Sequence, residues 1–252
     1  MHMNQFTGVL PEFSALVDLQ ELYASNNQLG GTIPETLSSL TSLKGLYLNN
    51  NIHISGSIPA SLGSLTQLTS LWLHHNQLNG SIPDTLGALS NLEQLYLSNN
   101  QLVGGFPSTL SNLTMLTVFW ASANQLVGSV ASGIGSLTLL TSLRLQSNLL
   151  SGVIPDEIGS SLTNLQELVM SGNAFSGGIP ATFGSLSDLA YLCVARRCSA
   201  CVSGSMHTLR SLLVTEARAP SQGFELELFI WSYTGRVEQP HGQTGNASAR
   251  RQ

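Results

Sequence analysis

An asparagine returns along this chain at Asn27, Asn51, Asn76, Asn100, Asn124, Asn148 and Asn173, at intervals of 24, 25, 24, 24, 24 and 25 residues. A period of that length excludes most compact folds, because each unit is too short to bury its own apolar side chains and neighbours must stack. Around Asn100 the unit reads LSNLEQLYLSNNQLVGGFP, from Leu89 to Pro107. Its leucines at 89, 92, 95 and 97 are spaced first as a bend and then as a strand. Leu95 and Leu97 therefore point one way while Gln94, Tyr96 and Ser98 point the other. Asn100 is predicted to bond to the backbone of a turn that has no ladder of its own. Gly104 permits a tight corner, and Pro107 ends the extended run.

Two further columns keep the same beat. Glycine stands at Gly31, Gly56, Gly80, Gly104, Gly128, Gly152 and Gly177, and proline at Pro34, Pro59, Pro83, Pro107, Pro155 and Pro180, with Ala131 as the one lapse. One-residue insertions near Ile52 to Ile54 and at Ser160-Ser161 fall in turns, where they cost least. At the N-terminus Asn4, Phe6, Gly8, Leu10 and Pro11 take the places of Asn100, Leu102, Gly104, Phe106 and Pro107. The chain thus begins inside a repeat without an N-terminal cap, and we expect a fragment or a gene model that starts late.

The pattern LxxLxxLxLxxNxLxGxIP, covering roughly Asn4 to Val194, resembles the plant-type leucine-rich repeat of receptor-like proteins and receptor-like kinase ectodomains. The resemblance implies an α/β fold: a right-handed solenoid with a parallel β-sheet on the concave face and short helical or irregular turns on the convex face. The expected organisation is a solenoid of about eight repeats over residues 1–195, a degenerate last repeat or cap over 196–218, and a poorly ordered tail with one possible edge strand over 219–252.

The outward residue between the two strand leucines is Tyr23, Tyr47, Trp72, Tyr96, Trp120, Arg144, Val169 and Cys193 in successive repeats. Five aromatics in one column, with strands ~4.8 Å apart, form either a stripe that anchors a ligand or a set of rings that cover their neighbours. Beside it run Ser25, Asn49, His74, Ser98, Ser122, Gln146 and Ser171, a column able to donate and accept hydrogen bonds. The candidate ligand-binding residues on the concave face are Tyr23, Tyr47, Trp72, His74, Tyr96, Trp120 and Arg144. The ladder Asn27, Asn51, Asn76, Asn100, Asn124, Asn148 and Asn173 is assigned a structural role.

Other chemistry is sparse. His74-His75 reads as a solvated pair rather than a metal site, and no nucleophile elbow or phosphate-cradling loop is present, so neither catalytic residues nor cofactors are expected. Asp156-Glu157, just after Pro155, suits a helix start. Residues 1–195 hold ten acids against Lys44 and Arg144, and residues 196–252 hold seven arginines against four acids. The acidic body argues against nucleic acid as a partner. No apolar run approaches the ~20 residues of a membrane span, and MHMNQFTG lacks the features of a signal peptide. Asn79 and Asn112 open glycosylation sequons, as does Asn246. Cys193, Cys198 and Cys201 allow one disulfide with a free thiol, a zinc site with His207, or three thiols. The resemblance favours a cysteine-stapled cap.

By resemblance the chain is a non-catalytic module that recognises a protein, peptide or glycan on its concave face. It would belong to the ectodomain of a cell-surface receptor-like protein or receptor-like kinase in signalling, placed at the plasma membrane or secreted. The alternatives are a secreted inhibitor of a cell-wall polygalacturonase in defence, and the repeat part of a larger kinase or ligase.

Overall fold

The computed structural model describes residues 4–194 and 202–203. Each unit makes a short strand, a corner, a second strand and a turn. The first strands are Glu21–Tyr23, Gly45–Tyr47, Ser70–Trp72, Gln94–Tyr96, Val118–Trp120, Ser142–Arg144, Glu167–Val169 and Tyr191–Cys193. They pair parallel and in register, Leu22 beside Leu46, Leu46 beside Leu71, and so on to Leu168 beside Leu192. Val202–Ser203 adds an antiparallel strand beside Tyr191–Cys193, completing a nine-stranded sheet.

The strands are three residues long because the alternation lasts only that far. The inward partners of the central leucines are Ala24, Leu48, Leu73, Leu97, Ala121, Leu145 and Met170, all fully or nearly fully buried. With Leu37, Leu62, Leu86 and Leu110 from the convex turns and Ile33, Ile58 and Ile82 from the segments just after the second strands, they form one continuous core. At ~1.5–3 kcal/mol for each fully buried leucine or isoleucine, the stack rather than any single coil carries stability.

After each ladder asparagine the chain forms a second strand, which the sequence reading took only as part of the turns. Thr7–Val9, Gln28–Thr32, His53–Ser57 and Gln77–Asn79 make one four-stranded sheet. Val103–Gly104, Gln125–Gly128, Leu149–Val153 and Ala174–Ser176 make another. Gly104 and its column turn the chain out of these strands at φ between 71° and 81°, the left-handed region that glycine enters freely.

The convex side is built from five-residue 3₁₀ turns at Glu35–Ser39, Ala60–Ser64, Asp84–Ala88, Ser108–Asn112, Ser132–Ser136 and Ala181–Ser185. Proline precedes five of them in extended conformation, and Ala131 at φ −72° does the same for Ser132–Ser136. The insertion at Ser160-Ser161 has a specific effect, for there the turn becomes α-helical over Glu157–Ser161, with Asp156 as its N-cap residue. Residues 196–218 and 219–252, the expected cap and tail, with Cys198, Cys201 and Asn246, lie outside the described residues apart from Val202–Ser203.

Candidate ligand-binding face

The ladder asparagines join consecutive coils. Asn100 Nδ2 donates to Leu97 O at 3.0 Å in its own coil and to Leu73 O at 2.9 Å in the coil before, while its Oδ1 accepts the Leu78 N–H at 3.0 Å. The same three contacts recur at Asn51, Asn124 and Asn148. Asn173 repeats them with Leu145 O, Met170 O and the Leu150 N–H. Asn76 bonds Leu48 O and Leu73 O and accepts from the Asn51 N–H. Asn27 accepts the Phe6 N–H at 3.2 Å, tying the first described coil to the stack.

Each ladder residue is preceded by one with left-handed backbone, a requirement that the sequence reading missed. Asn26, Asn50, His75, Asn99, Ala123 and Ser147 have φ between 52° and 58°, and Gly172 continues the column at 66°. The signal was in the sequence, because asparagine and glycine enter this region most readily.

In the central outward column, Tyr23 stacks flat on Tyr47 with centroids 4.4 Å apart. Tyr47 meets Trp72 edge-on at 4.9 Å, Trp72 meets Tyr96 at 5.0 Å, and Tyr96 meets Trp120 at 4.8 Å. Arg144 lays its guanidinium 3.9 Å over the Trp120 ring. Parallel register brings the five rings together, and alternating orientations let each quadrupole edge find a face. The rings are largely half-buried, Tyr23 being the most open. Val169 and Cys193, next in the column, are buried.

A second column, two residues earlier in each strand and on the same face, positions the first. Trp72 Nε1 donates to Gln94 Oε1 at 3.1 Å and Trp120 Nε1 to Ser142 Oγ at 2.8 Å. Ser142 Oγ donates in turn to Glu167 Oε2 at 2.6 Å, and Arg144 forms an ion pair with Glu167 at 2.7 Å. Arg144 is therefore charge-paired within the face. Gly45 leaves the space in which the Tyr47 ring and the Glu21 carboxylate lie, since a Cβ there would collide with both. The candidate ligand-binding residues named from the sequence left out Glu21, Gly45, Gln94, Ser142 and Glu167, although a period of two places them beside the rings.

The hydroxyl and amide column is less available than expected. Ser25, Asn49, Ser98, Ser122 and Ser171 are buried, and Ser122 Oγ donates to Ser98 Oγ at 2.8 Å. His74 is half-buried, its ring 6.0 Å from Trp72 and 5.6 Å from Tyr96 by centroids. The expectation of a solvated His74-His75 pair thus holds for His75 alone. Burial, with a smaller contribution from the charge of His75, pulls the His74 pKa down to about 4, so its ring is neutral at ordinary pH. Burial also pushes the Tyr47 and Tyr96 phenols up, keeping them protonated donors. Asn49 Oδ1, His74 Nδ1, Arg144 Nε and Gln146 Oε1 are buried without a hydrogen-bond partner. Asn79 and Asn112, the two described sequon asparagines, are exposed. Among the described residues no group of three or more His, Cys, Asp or Glu side chains could hold a metal ion, and no helix is long and apolar enough to cross a membrane.

Comparison with known proteins places this geometry among relatives. Leucine-rich-repeat models match residues 17–78, 66–114, and 139–161 with 164–186, together more than half of the chain. The receptor-like kinase TMK4 of Arabidopsis thaliana is 41% identical over 51 residues, which are 20% of this chain and 6% of the kinase. The plant peptide hormone receptor RGFR1, solved in complex with RGF2, is 36% identical with a TM-score of 0.74, over 77% of this chain and 31% of the receptor. A plant ice-binding protein is 27% identical with a TM-score of 0.61, over 80% of this chain and 73% of that protein. The chain thus spans less than a third of the kinase and of the hormone receptor. With its asparagine ladder, glycine corners and proline-capped turns repeated in the same order, the chain belongs to the plant-type leucine-rich repeat proteins.

Proposed function

We propose that this chain is a non-catalytic recognition module that binds an extended peptide along the aromatic column, as part of the ectodomain of a cell-surface receptor-like protein or receptor-like kinase. The observation that carries the reading is the way the rings use their faces. Tyr23 and Tyr47 cover one another, and Arg144 covers Trp120. A pyranose needs an open ring face to stack on, whereas peptide side chains can pack against ring edges and into the steps between strands. Arg144 is balanced by Glu167, so this part of the face favours no strongly charged partner. The buried, unpartnered Asn49 Oδ1 and Gln146 Oε1 add to the argument. An unpaired buried polar atom costs ~1–3 kcal/mol, which is relieved if the amide turns out to meet a backbone N–H of the ligand. The hormone-bound relative uses the same scaffold.

The test is a library of synthetic 12-residue peptides carrying photo-crosslinkers, with attachment sites read by mass spectrometry. Crosslinks should concentrate between Tyr47 and Trp120, and Trp72→Ala with Trp120→Ala should weaken binding more than about tenfold while circular dichroism stays native. Crosslinks on the convex turns would refute the reading, as would preferential capture of a polygalacturonase.

A second reading has one observation behind it. Thr41, Thr66, Ser90, Thr114, Thr138, Thr163 and Ser187 place an exposed hydroxyl at the same position of each coil. Such a row on a rigid support suits an ordered water lattice, and the ice-binding relative shares the fold. Thermal hysteresis by the purified chain would support this reading, and its absence would leave the peptide reading alone.

A further inference from the structure

One coil departs from the rest on its convex side. In four other turns the second residue donates a hydroxyl hydrogen bond to a carbonyl of the turn before. Ser61 reaches Glu35 O at 3.3 Å, Thr85 reaches Ala60 O at 2.6 Å, Thr109 reaches Asp84 O at 2.7 Å and Thr182 reaches Asp156 O at 2.9 Å. In Ser132–Ser136 that residue is Gly133, which has no hydroxyl to give. The residue before this turn is Ala131, where the other coils have proline, and the one before that is Val130, where most have isoleucine. Three losses of side-chain volume therefore coincide at one seam.

At this seam lies a pocket of about 160 Å³, open on one side, between Ser108–Asn112 and Ser132–Ser136. Its walls include Phe106, Leu110, Phe119, Val130, Ile134 and Leu137. Phe106 stands edge-on to Phe119 at 5.6 Å and is only half-buried, although Ile33, Ile58 and Ile82 at the same position in earlier coils are buried. The ring thus extends from core to surface beside the cavity. Its lining is almost wholly apolar, and its volume is close to the ~150 Å³ that accepts a benzene molecule in a protein interior.

We propose that this seam is a binding site for a small, uncharged apolar molecule about the size of one six-membered ring. It lies on the turn side, away from the aromatic column, and does not depend on the peptide reading. Phe106 and Phe119 would contact such a guest at their edges and faces, the aliphatic walls would take its remaining surface, and selectivity would be by volume.

The probe is benzene, added to the full chain, with two readouts. Methyl NMR should show saturable shifts confined to Leu110, Val130, Ala131, Ile134, Leu137 and Leu145, and the melting temperature should rise with benzene concentration by mass action. The double variant Val130→Ile with Ala131→Pro restores the side chains of the other coils. It should melt no lower than the parent and lose both benzene responses. Gly133→Ser is a separate closing variant, in which Ser111 must give slightly because an added Cβ would lie 3.2 Å from its Cβ. Should one variant fail to fold, the other still decides. Absence of saturable shifts at these methyls overturns the proposal. So does an undiminished response in a folded closing variant.

Discussion

Asn100→Ala should destabilise the chain by about 3 kcal/mol, and Asn99→Ala by about 1 kcal/mol. The two residues are adjacent and chemically identical, so the difference is geometric. Removing the Asn100 amide leaves the Leu78 N–H without its acceptor, a loss of ~1–3 kcal/mol for a group shielded from water. The carbonyls of Leu73 and Leu97 are not orphaned, because Asn76 and Asn124 also donate to them at 2.9 and 3.0 Å. Each loses one of two partners, at ~0.5–1.5 kcal/mol. Asn99 instead contributes an exposed contact with His75 Nε2 at 3.3 Å and a left-handed backbone at φ 56°. Asparagine occupies that region more readily than alanine, for which it costs ~1–2 kcal/mol. Urea unfolding followed by tryptophan fluorescence and by circular dichroism would measure both variants. Coincident transitions are required before free energies are extracted from a stacked array. Asn99→Gly is the control, since it relieves the backbone term and should lie near the parent. Equal losses for Asn100→Ala and Asn99→Ala would refute the reasoning, as would a loss below about 1 kcal/mol for Asn100→Ala.

Three further outcomes are expected. Ala123 holds φ 52° without a side chain suited to it, so Ala123→Asn should stabilise by about 1 kcal/mol in the same urea assay. Glu167→Gln removes the charge partner of Arg144 at a part-exposed site, so it should change the unfolding free energy by less than about 1 kcal/mol. The same variant should shift tryptophan emission as the guanidinium over Trp120 loosens. Burial lowers the His74 pKa from 6.5 to about 4, so between those values the unfolded chain binds the extra proton. The His74 contribution is therefore fully present above about pH 6.5 and is lost as pH falls to about 4. His74→Gln should flatten the dependence of the urea midpoint on pH within that window and leave it unchanged above.

What could be read from the residues alone follows from how few side chains each position tolerates. The inward columns admit almost nothing but leucine, isoleucine and their near relatives, so the period showed the core before any coordinates did. The ladder asparagines were legible because their side chains must satisfy backbone groups, although their reach to the previous coil was not. Outward positions carry identity without contact. Tyr47 and Trp72 could be placed in one column, but not the T-shaped packing that occupies their faces, nor the bond from Trp72 to Gln94. Arg144 looked unpaired because Glu167 belongs to the next coil, 23 positions away in the chain, a separation that no local pattern reports. The same register governs recognition. Because a strand has period two, the residue that positions a ring lies two places before it or one coil later. A substitution at Gln94 or Ser142 should therefore alter what the neighbouring tryptophans present without touching the core, and ligand preference in this fold can change through the second column while the first stays constant.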